Sequence, residues 1–322
     1  MQRERVVIIG SGPAGFAAAV YLGRAQLNPV MIAGPTLGGQ VGITHEIENY
    51  PGFLTGSGPD LVDVFKQQAE KFDTRIIYDV VTEVDFSKGT PFTVKTSDET
   101  YVTDTVIVTI GANPRKLGVP GEEEFTGTGV SYCGTCDGFF FRGKKVLVVG
   151  GGDSALEESI FLTKFATHVN IIHRRDELRA GVQLQKRALA NEKISFTWNT
   201  VVEEILGDET GKVRAARLKN VVTGEVTEEP TDGVFIFIGH TPNSDVFGGQ
   251  LAANDAGYVI TDHLYRTNVD GVFAAGEIQD EVYRQVATSV GQGVGASMNA
   301  IKWLQEREDE LEPLDAPAAT GD

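Results

Sequence analysis

One pattern occurs twice in this chain and constrains its fold more than any other feature: a short β-branched run, a glycine-rich turn, then a helix of small residues. Val6-Val7-Ile8-Ile9 leads into Gly10-Ser11-Gly12-Pro13-Ala14-Gly15 and a helix predicted over 16–25. Val146-Leu147-Val148-Val149 leads into Gly150-Gly151-Gly152-Asp153-Ser154-Ala155 and a helix predicted over 156–165. Apolar runs of this length without alternation belong to strands covered on both faces, as in parallel sheets. Each segment also closes alike, in Val106-Ile107-Val108-Thr109-Ile110-Gly111 and Val234-Phe235-Ile236-Phe237-Ile238-Gly239, 101 and 89 residues after its first turn glycine. The prediction is an α/β protein of two doubly wound units, the second inserted into the first. A further strand and turn, Gly271-Val272-Phe273-Ala274-Ala275-Gly276-Glu277, and a helix over 288–305 end the fold. The expected boundaries are 1–114 with 241–322 for one unit and 115–240 for the other. A chain of 322 residues has room for both at roughly 150 residues per domain.

A G-x-G-x-x-G turn between strand and helix has a mechanical meaning. Its first glycine makes the tight bend, the second lets a pyrophosphate approach the backbone, and the third lets helix and strand pack closely. Unpaired N–H groups at the helix N-terminus then face the phosphates. A lone match is weak, but here the context is right twice, which predicts two Rossmann-like dinucleotide sites. The acidic residue that grips a ribose is expected about 20 positions on. The first unit has Met31-Ile32-Ala33-Gly34-Pro35 there, with no acid. The second has His173-Arg174-Arg175, followed by Arg179. Guanidinium groups bind a 2′-phosphate bidentately where a carboxylate would repel it, so this slot favours NADPH over a solvated basic stretch. The expected NADPH contacts are Gly150, Gly152, Asp153, Ser154 and Ala155, with His173 grouped among the cluster.

Composition excludes several other classes. The net charge is −17, from 28 basic and 45 acidic residues, which argues against general nucleic-acid binding and against docking on anionic lipid. Part of the excess is local, with seven acids and one arginine in 306–322; from about 307 the chain reads as a disordered tail. Apolar residues begin at Val6, which leaves no room for the segments of a signal peptide, and no run approaches the ~20 apolar residues of a bilayer span. A cytoplasmic protein is expected.

The chain has two cysteines, in Cys133-Gly134-Thr135-Cys136. So close together they close almost no loop, which removes the usual stabilising role. One CxxC is half a tetrahedral zinc site, and the five histidines are scattered singly or sit in the arginine cluster, so no metal is expected. A redox dithiol remains, since one thiolate assists the other. Asp137 follows and either passes a proton as a thiolate forms and leaves or is an ordinary turn acid before Gly138. NADPH delivers electrons as hydride, whereas a disulfide accepts them through thiol chemistry. A flavin links the two, and the first dinucleotide site is free to hold FAD.

Over about residues 5–305 the chain resembles the bacterial low-molecular-weight thioredoxin reductases. The matching stretches are Gly10-Ser11-Gly12-Pro13-Ala14-Gly15, Gly38-Gly39-Gln40, Glu48-Asn49-Tyr50-Pro51-Gly52, Cys133-Gly134-Thr135-Cys136-Asp137-Gly138-Phe139-Phe140, His173-Arg174-Arg175 with Arg179-Ala180, Gly239-His240-Thr241-Pro242-Asn243 and Tyr283-Arg284-Gln285. The resemblance implies a homodimer with an FAD domain split around an inserted NADPH domain, reducing thioredoxin. It implies that FAD contacts Gly10 to Gly15, Ala33, Gly38, Gly39, Gln40, Asn49, Gly276, Glu277, Arg284, Gln285 and Val286. It further implies that Cys133 attacks the thioredoxin disulfide, Cys136 lies nearer the flavin and Asp137 is the acid. The NADPH unit would swing about Gly111-Ala112-Asn113-Pro114 and Gly239-His240-Thr241-Pro242. Two features depart from the pattern: Glu277 stands where the family usually has Asp, and the acidic tail is longer than required.

Two other readings compete. A flavin dithiol–disulfide oxidoreductase of the same fold with another donor or acceptor (ferredoxin, oxygen, a small disulfide) should lack the arginine cluster and the second glycine turn, and both are present. A nucleotide-binding sensor without turnover has no use for the dithiol.

Overall fold

The computed structural model describes residues 1–311. The chain divides into two units, Met1–Asn113 with Thr241–Asp322 and Pro114–His240. It leaves the first unit along Ala112–Pro114 and returns along His240–Pro242, and these two strands pair with each other.

In the first unit the parallel strands run Arg75–Ile77, Val30–Ile32, Gln2–Ile9 and Thr100–Val108 across the sheet. Thr100–Val108 divides its far edge. Its first half pairs antiparallel with Phe92–Thr96, which pairs in turn with Val81–Asp85, and its second half pairs parallel with Val272–Ala274. Side chains alternate across a strand, and here both faces are covered. Val6 and Ile8 face a layer containing Phe16, Leu22, Leu61, Phe273 and Trp303. Val7 and Ile9 face a layer containing Val84, Phe92, Tyr101 and Phe247.

The helix of the first turn runs over Pro13–Arg24, and the final helix over Val286–Glu306. Their small residues have a packing reason, because a Cβ on Gly293 would run into the Ala14 carbonyl. The chain stays ordered past this helix. Arg307 pairs with Asp270 at 2.9 Å and lies over the Trp303 ring, and Leu311 packs on the core. Of the stretch expected as a tail from about 307, these contacts hold Arg307 and Leu311, and the part from Glu312 lies outside the described residues.

In the second unit Ile194–Thr197, His168–Ile172, Lys145–Gly150, Gly233–Phe237 and Val130–Ser131 form a parallel sheet in that order. Helices Asp153–Leu162 and Val182–Leu189 pack on it. A separate antiparallel sheet, Thr200–Gly207, Val213–Asn220 and Val226–Pro230, follows. This sheet and the antiparallel strands at 81–96 are additions to the predicted doubly wound plan. Among the described residues no helix is long and apolar enough to cross a membrane, and no group of three or more His, Cys, Asp or Glu residues is placed to hold a metal ion.

Candidate functional site

In the first unit the chemistry-bearing segments gather beyond the carboxyl ends of parallel strands, where open α/β sheets bind ligands. Gly10 has φ +108°, and a Cβ there would stand 2.5 Å from the Thr109 carbonyl oxygen. A Cβ on Gly15 would run into the Gly10 carbonyl. Gly12 differs: its Cβ position meets only the Thr109 carbonyl oxygen, at 3.9 Å. Gly12 is also the N-cap of the Pro13–Arg24 helix and offers it no side-chain cap. The turn is closed where chain must pack and open where a pyrophosphate must approach, so it fits the dinucleotide implied by the sequence.

The other residues of this group do different work. Ser11 is buried; its hydroxyl donates to the Ala33 carbonyl at 2.8 Å and accepts from the Gly38 N–H at 3.1 Å. It positions the Ala33 and Gly38 segments, a role the sequence did not separate from ligand contact. Ala14 is buried against the Gly276 turn, where Gly276 has φ +77°. Gly39 faces Gly12. The amide of Gln40 donates to Asn113 at 2.8 Å, and that of Asn49 donates to Gln285 at 3.3 Å. Gln285 caps the final helix ahead of Val286, in a capping box with Thr288.

Glu277 follows the Gly276 turn. Burial pushes its carboxyl up to about 7, with Arg284 opposing the shift and Asp280 adding to it. Two residues missed in the sequence hold this turn. Gln292 accepts from the Gly276 N–H at 3.0 Å and donates to Asp280 at 2.9 Å. Asp280 also accepts from the Val282 and Tyr283 N–H groups, each at 2.9 Å.

The second turn repeats the logic of the first. A Cβ on Gly150 would stand 2.5 Å from the Phe237 carbonyl oxygen, while the Cβ position of Gly152 meets nothing within 4 Å. Gly152 is the N-cap of the Asp153–Leu162 helix, again without a side-chain cap. Ser154 is exposed on its first turn and Ala155 is buried beneath Gly150. Asp153 accepts from the Gly181 N–H at 2.7 Å, which ties this helix to the start of the next.

His173 was grouped with the ligand residues, and the structure gives it a second task. The ring is buried, with Nδ1 3.1 Å from the Gly150 carbonyl oxygen and Nε2 2.9 Å from that of Glu177. It props the arginine loop against the glycine turn, and a Cβ on Gly151 would collide with it. Arg174, Arg175 and Arg179 stay exposed, with no ion pair among the described residues. Uncommitted guanidinium groups beside an open helix N-terminus fit a phosphate-bearing nucleotide.

Cys133 and Cys136 form a disulfide with their Cα atoms 5.3 Å apart. Cys133 caps the single turn Gly134–Asp137, and its Sγ accepts from the Cys136 N–H at 3.1 Å. Ser131, at the end of a buried strand, fixes the loop by accepting from the Cys133 N–H at 3.0 Å. Cys133 and Asp137 are half-buried, and Cys136 is exposed. Gly134 lies against the Glu158 carboxylate of the nucleotide-site helix, so one helix supports both the second glycine turn and the disulfide.

The family model described as pyridine nucleotide-disulphide oxidoreductase matches residues 4–293. The chain belongs to that family. Within the pyridine nucleotide-disulphide oxidoreductases it is 47% identical over 312 residues to a thioredoxin reductase of Peptoclostridium acidaminophilum, covering 95% of this chain and 98% of that one. It is 49% identical over 305 residues to a thioredoxin reductase of Mycolicibacterium smegmatis, covering 94% and 97%. A crystal structure of thioredoxin reductase from Streptococcus pyogenes superposes with a TM-score of 0.89 at 44% identity, covering 94% of this chain and 99% of that one.

Proposed function

We propose that this oxidoreductase is an NADPH-dependent thioredoxin-disulfide reductase acting through FAD and the Cys133–Cys136 dithiol. The observation that carries this reading is a bonded CxxC on the same unit as an open glycine turn flanked by unpaired arginines. FAD is assigned to the first unit, at Gly10, Gly12, Gly15, Ala33, Gly38, Gly39, Gln40, Asn49, Gly276, Glu277, Arg284, Gln285 and Val286. NADPH is assigned to Gly150, Gly152, Asp153, Ser154, Ala155, Arg174, Arg175 and Arg179. Bound together, the two supply a hydride donor and a carrier able to hand its electron pair to a disulfide.

The chain's own residues then do the thiol chemistry. In the reduced dithiol, the Cys136 N–H favours a thiolate at Cys133 over a thiol. Cys133 Sγ attacks one sulfur of the partner disulfide, forming a mixed disulfide and releasing the other partner sulfur as a thiolate. Asp137 gives that sulfur a proton. Cys136 passes its proton to the Asp137 carboxylate left by that transfer, and its Sγ, as thiolate, attacks Cys133 Sγ. The second partner sulfur leaves as a thiolate and takes that proton from Asp137 to complete the partner dithiol, and the Cys133–Cys136 disulfide returns. The active form is assigned as a cytoplasmic homodimer, in keeping with the family resemblance.

The test mixes purified protein with NADPH or NADH, with and without oxidised thioredoxin, and follows nucleotide oxidation and thiol release. Thioredoxin-dependent thiol release with NADPH is expected. Nucleotide oxidation at the same rate without thioredoxin, and with no thiols formed, overturns the proposal.

A further inference from the structure

Immediately after the disulfide the chain builds an aromatic edge. Gly138 lies on Leu162, Phe161 and Phe165 of the nucleotide-site helix and its end, so the edge is continuous with the CxxC turn. Phe139 packs edge-on against Phe140 and Phe165, with centroids 6.1 and 6.3 Å apart, and Phe165 packs on Phe161 at 5.5 Å. Phe139 and Phe140 keep 52% and 36% of their surface exposed. A pair of cations is parked on these rings: Arg142 lies 5.0 Å over Phe139, and Lys164 lies 4.8 Å over Phe161. Neither makes an ion pair among the described residues, and both are exposed. A third cation, Lys144, lies over Phe141 at 5.2 Å.

The surrounding sequence sharpens the contrast. No carboxylate occurs between Asp137 and Asp153, or between Glu158 and Asp176, in a chain of net charge −17. The acids nearest in sequence, Asp137 and Glu158, lie on the disulfide side of this edge, Glu158 against Gly134, and Asp232 accepts from the Lys145 backbone N–H. A cation over a ring is held in place with its charge turned to solvent. Aromatic residues with arginine at their rim are the composition of a protein-docking surface rather than of an ordinary solvated face. The net charge of −17 repels anionic partners, whereas the cations on this edge attract them.

We propose that Arg142 and Lys164, seated on the Phe139–Phe165–Phe161 edge, form an electrostatic docking collar that selects a protein disulfide carrying carboxylates around its own dithiol. The collar rests on the function proposed above and names how its thioredoxin partner is chosen. It acts on encounter and register, not on the sulfur chemistry, and so separates protein substrates from small ones.

The experiment compares wild type with Lys164→Glu, Arg142→Glu and their combination, using NADPH and an acidic thioredoxin. Lys212→Glu, on the turn of the antiparallel sheet, makes the same change in net charge away from this edge. The neutral small disulfide 2-hydroxyethyl disulfide reports the intact dithiol. Each single reversal should raise KM for thioredoxin about tenfold with kcat unchanged, since charges at an interface rim act mainly on association. The effect should shrink at high ionic strength. Lys164→Arg and Arg142→Lys should restore the wild-type KM. An unchanged thioredoxin KM in the double variant overturns the collar, as does an equal loss with the neutral disulfide or with Lys212→Glu. If wild type reduces no thioredoxin, the function proposed above fails and the collar with it; if it does so without charge dependence, only the collar fails.

Discussion

The backbone N–H of Arg179 donates to the carbonyl oxygen of Gly151 at 2.8 Å. The residue carrying a phosphate-seeking guanidinium is thereby stitched to the turn that receives the pyrophosphate. Ala180 bonds the same carbonyl at 3.2 Å, and His173 braces the loop from below. Selectivity and cradle are one piece of backbone, so the positions of the arginines do not depend on a mobile side loop.

Replacing Arg174 and Arg175 together by Ala should therefore act on the 2′-phosphate alone. Each charge-assisted contact contributes about 1.5–3 kcal/mol before non-additivity, so KM for NADPH should rise by about two orders of magnitude. KM for NADH should hardly move. Steady-state kinetics with both nucleotides check this, and equal losses would assign the cluster to structure.

The two outer glycines of the first turn should fail differently from the middle one. Gly12→Val adds its Cβ in open space at φ −65°, so the fold should survive while the pyrophosphate is blocked. Gly15→Val drives a side chain into the Gly10 carbonyl and toward Thr109 Oγ1 at 2.8 Å, an overpacking that costs about 1–3 kcal/mol or more. The expected outcome is a Gly12→Val protein that unfolds like flavin-free wild type but carries no flavin absorbance. Gly15→Val should show a lowered Tm in the flavin-free state as well.

Glu277 gives the flavin-free protein a pH dependence of definite sign. Its carboxyl is raised by burial from 4.5 to about 7 in the folded chain. The folded state then binds more protons than the unfolded one between those values, so this contribution is complete below about pH 4.5 and is lost as pH rises through 7. Glu277→Gln removes the dependence. Denaturant unfolding of flavin-free protein at pH 5 and pH 8 should show the variant gaining on wild type toward pH 8, by on the order of 3 kcal/mol at most. A difference that stays constant with pH would show that the carboxyl is solvated.

The roles of the two sulfurs separate by trapping. Cys136→Ser keeps the backbone N–H that points at Cys133 Sγ and should form a mixed disulfide with a thioredoxin lacking its resolving cysteine. Cys133→Ser should form little of it, although Cys136 is the more exposed residue. Intact-mass measurement distinguishes the two, and the opposite pattern reverses the assignment. Both variants should lose thioredoxin reduction.

What the sequence carried in plain form is local: each strand and turn of the two glycine motifs, the helix after each, which begins three residues earlier than expected at Pro13 and Asp153, and the adjacent cysteines. What it hid depends on pairing at a distance. Phe92–Thr96 mixes Phe and Val with Thr and Lys, a weak strand signal until Thr100–Val108 lies beside it. The Asp280 carboxylate is turned inward to cap a loop and meet Gln292, which a helix brings back twelve positions later. His173 sits in the motif that marks the nucleotide site, and nothing in the letters separates the side chain that props the loop from those that face the ligand.

The paired strands Ala112–Pro114 and His240–Pro242 bear on how such a chain is assembled. Asn243 fastens the point of departure from the first unit, bonding Gly111 through its N–H at 3.1 Å and Ile110 through its side chain at 3.0 Å. The Asn113 side-chain amide donates to Asn243 Oδ1 at 3.0 Å. To the sheet that hosts it, the whole inserted unit is thus equivalent to a tight hairpin, and the entropy of closing the excursion falls on the guest's own folding. A gene segment with its two ends side by side is a cassette: it can be lengthened, exchanged or removed and bridged by a few residues without altering the register of the host.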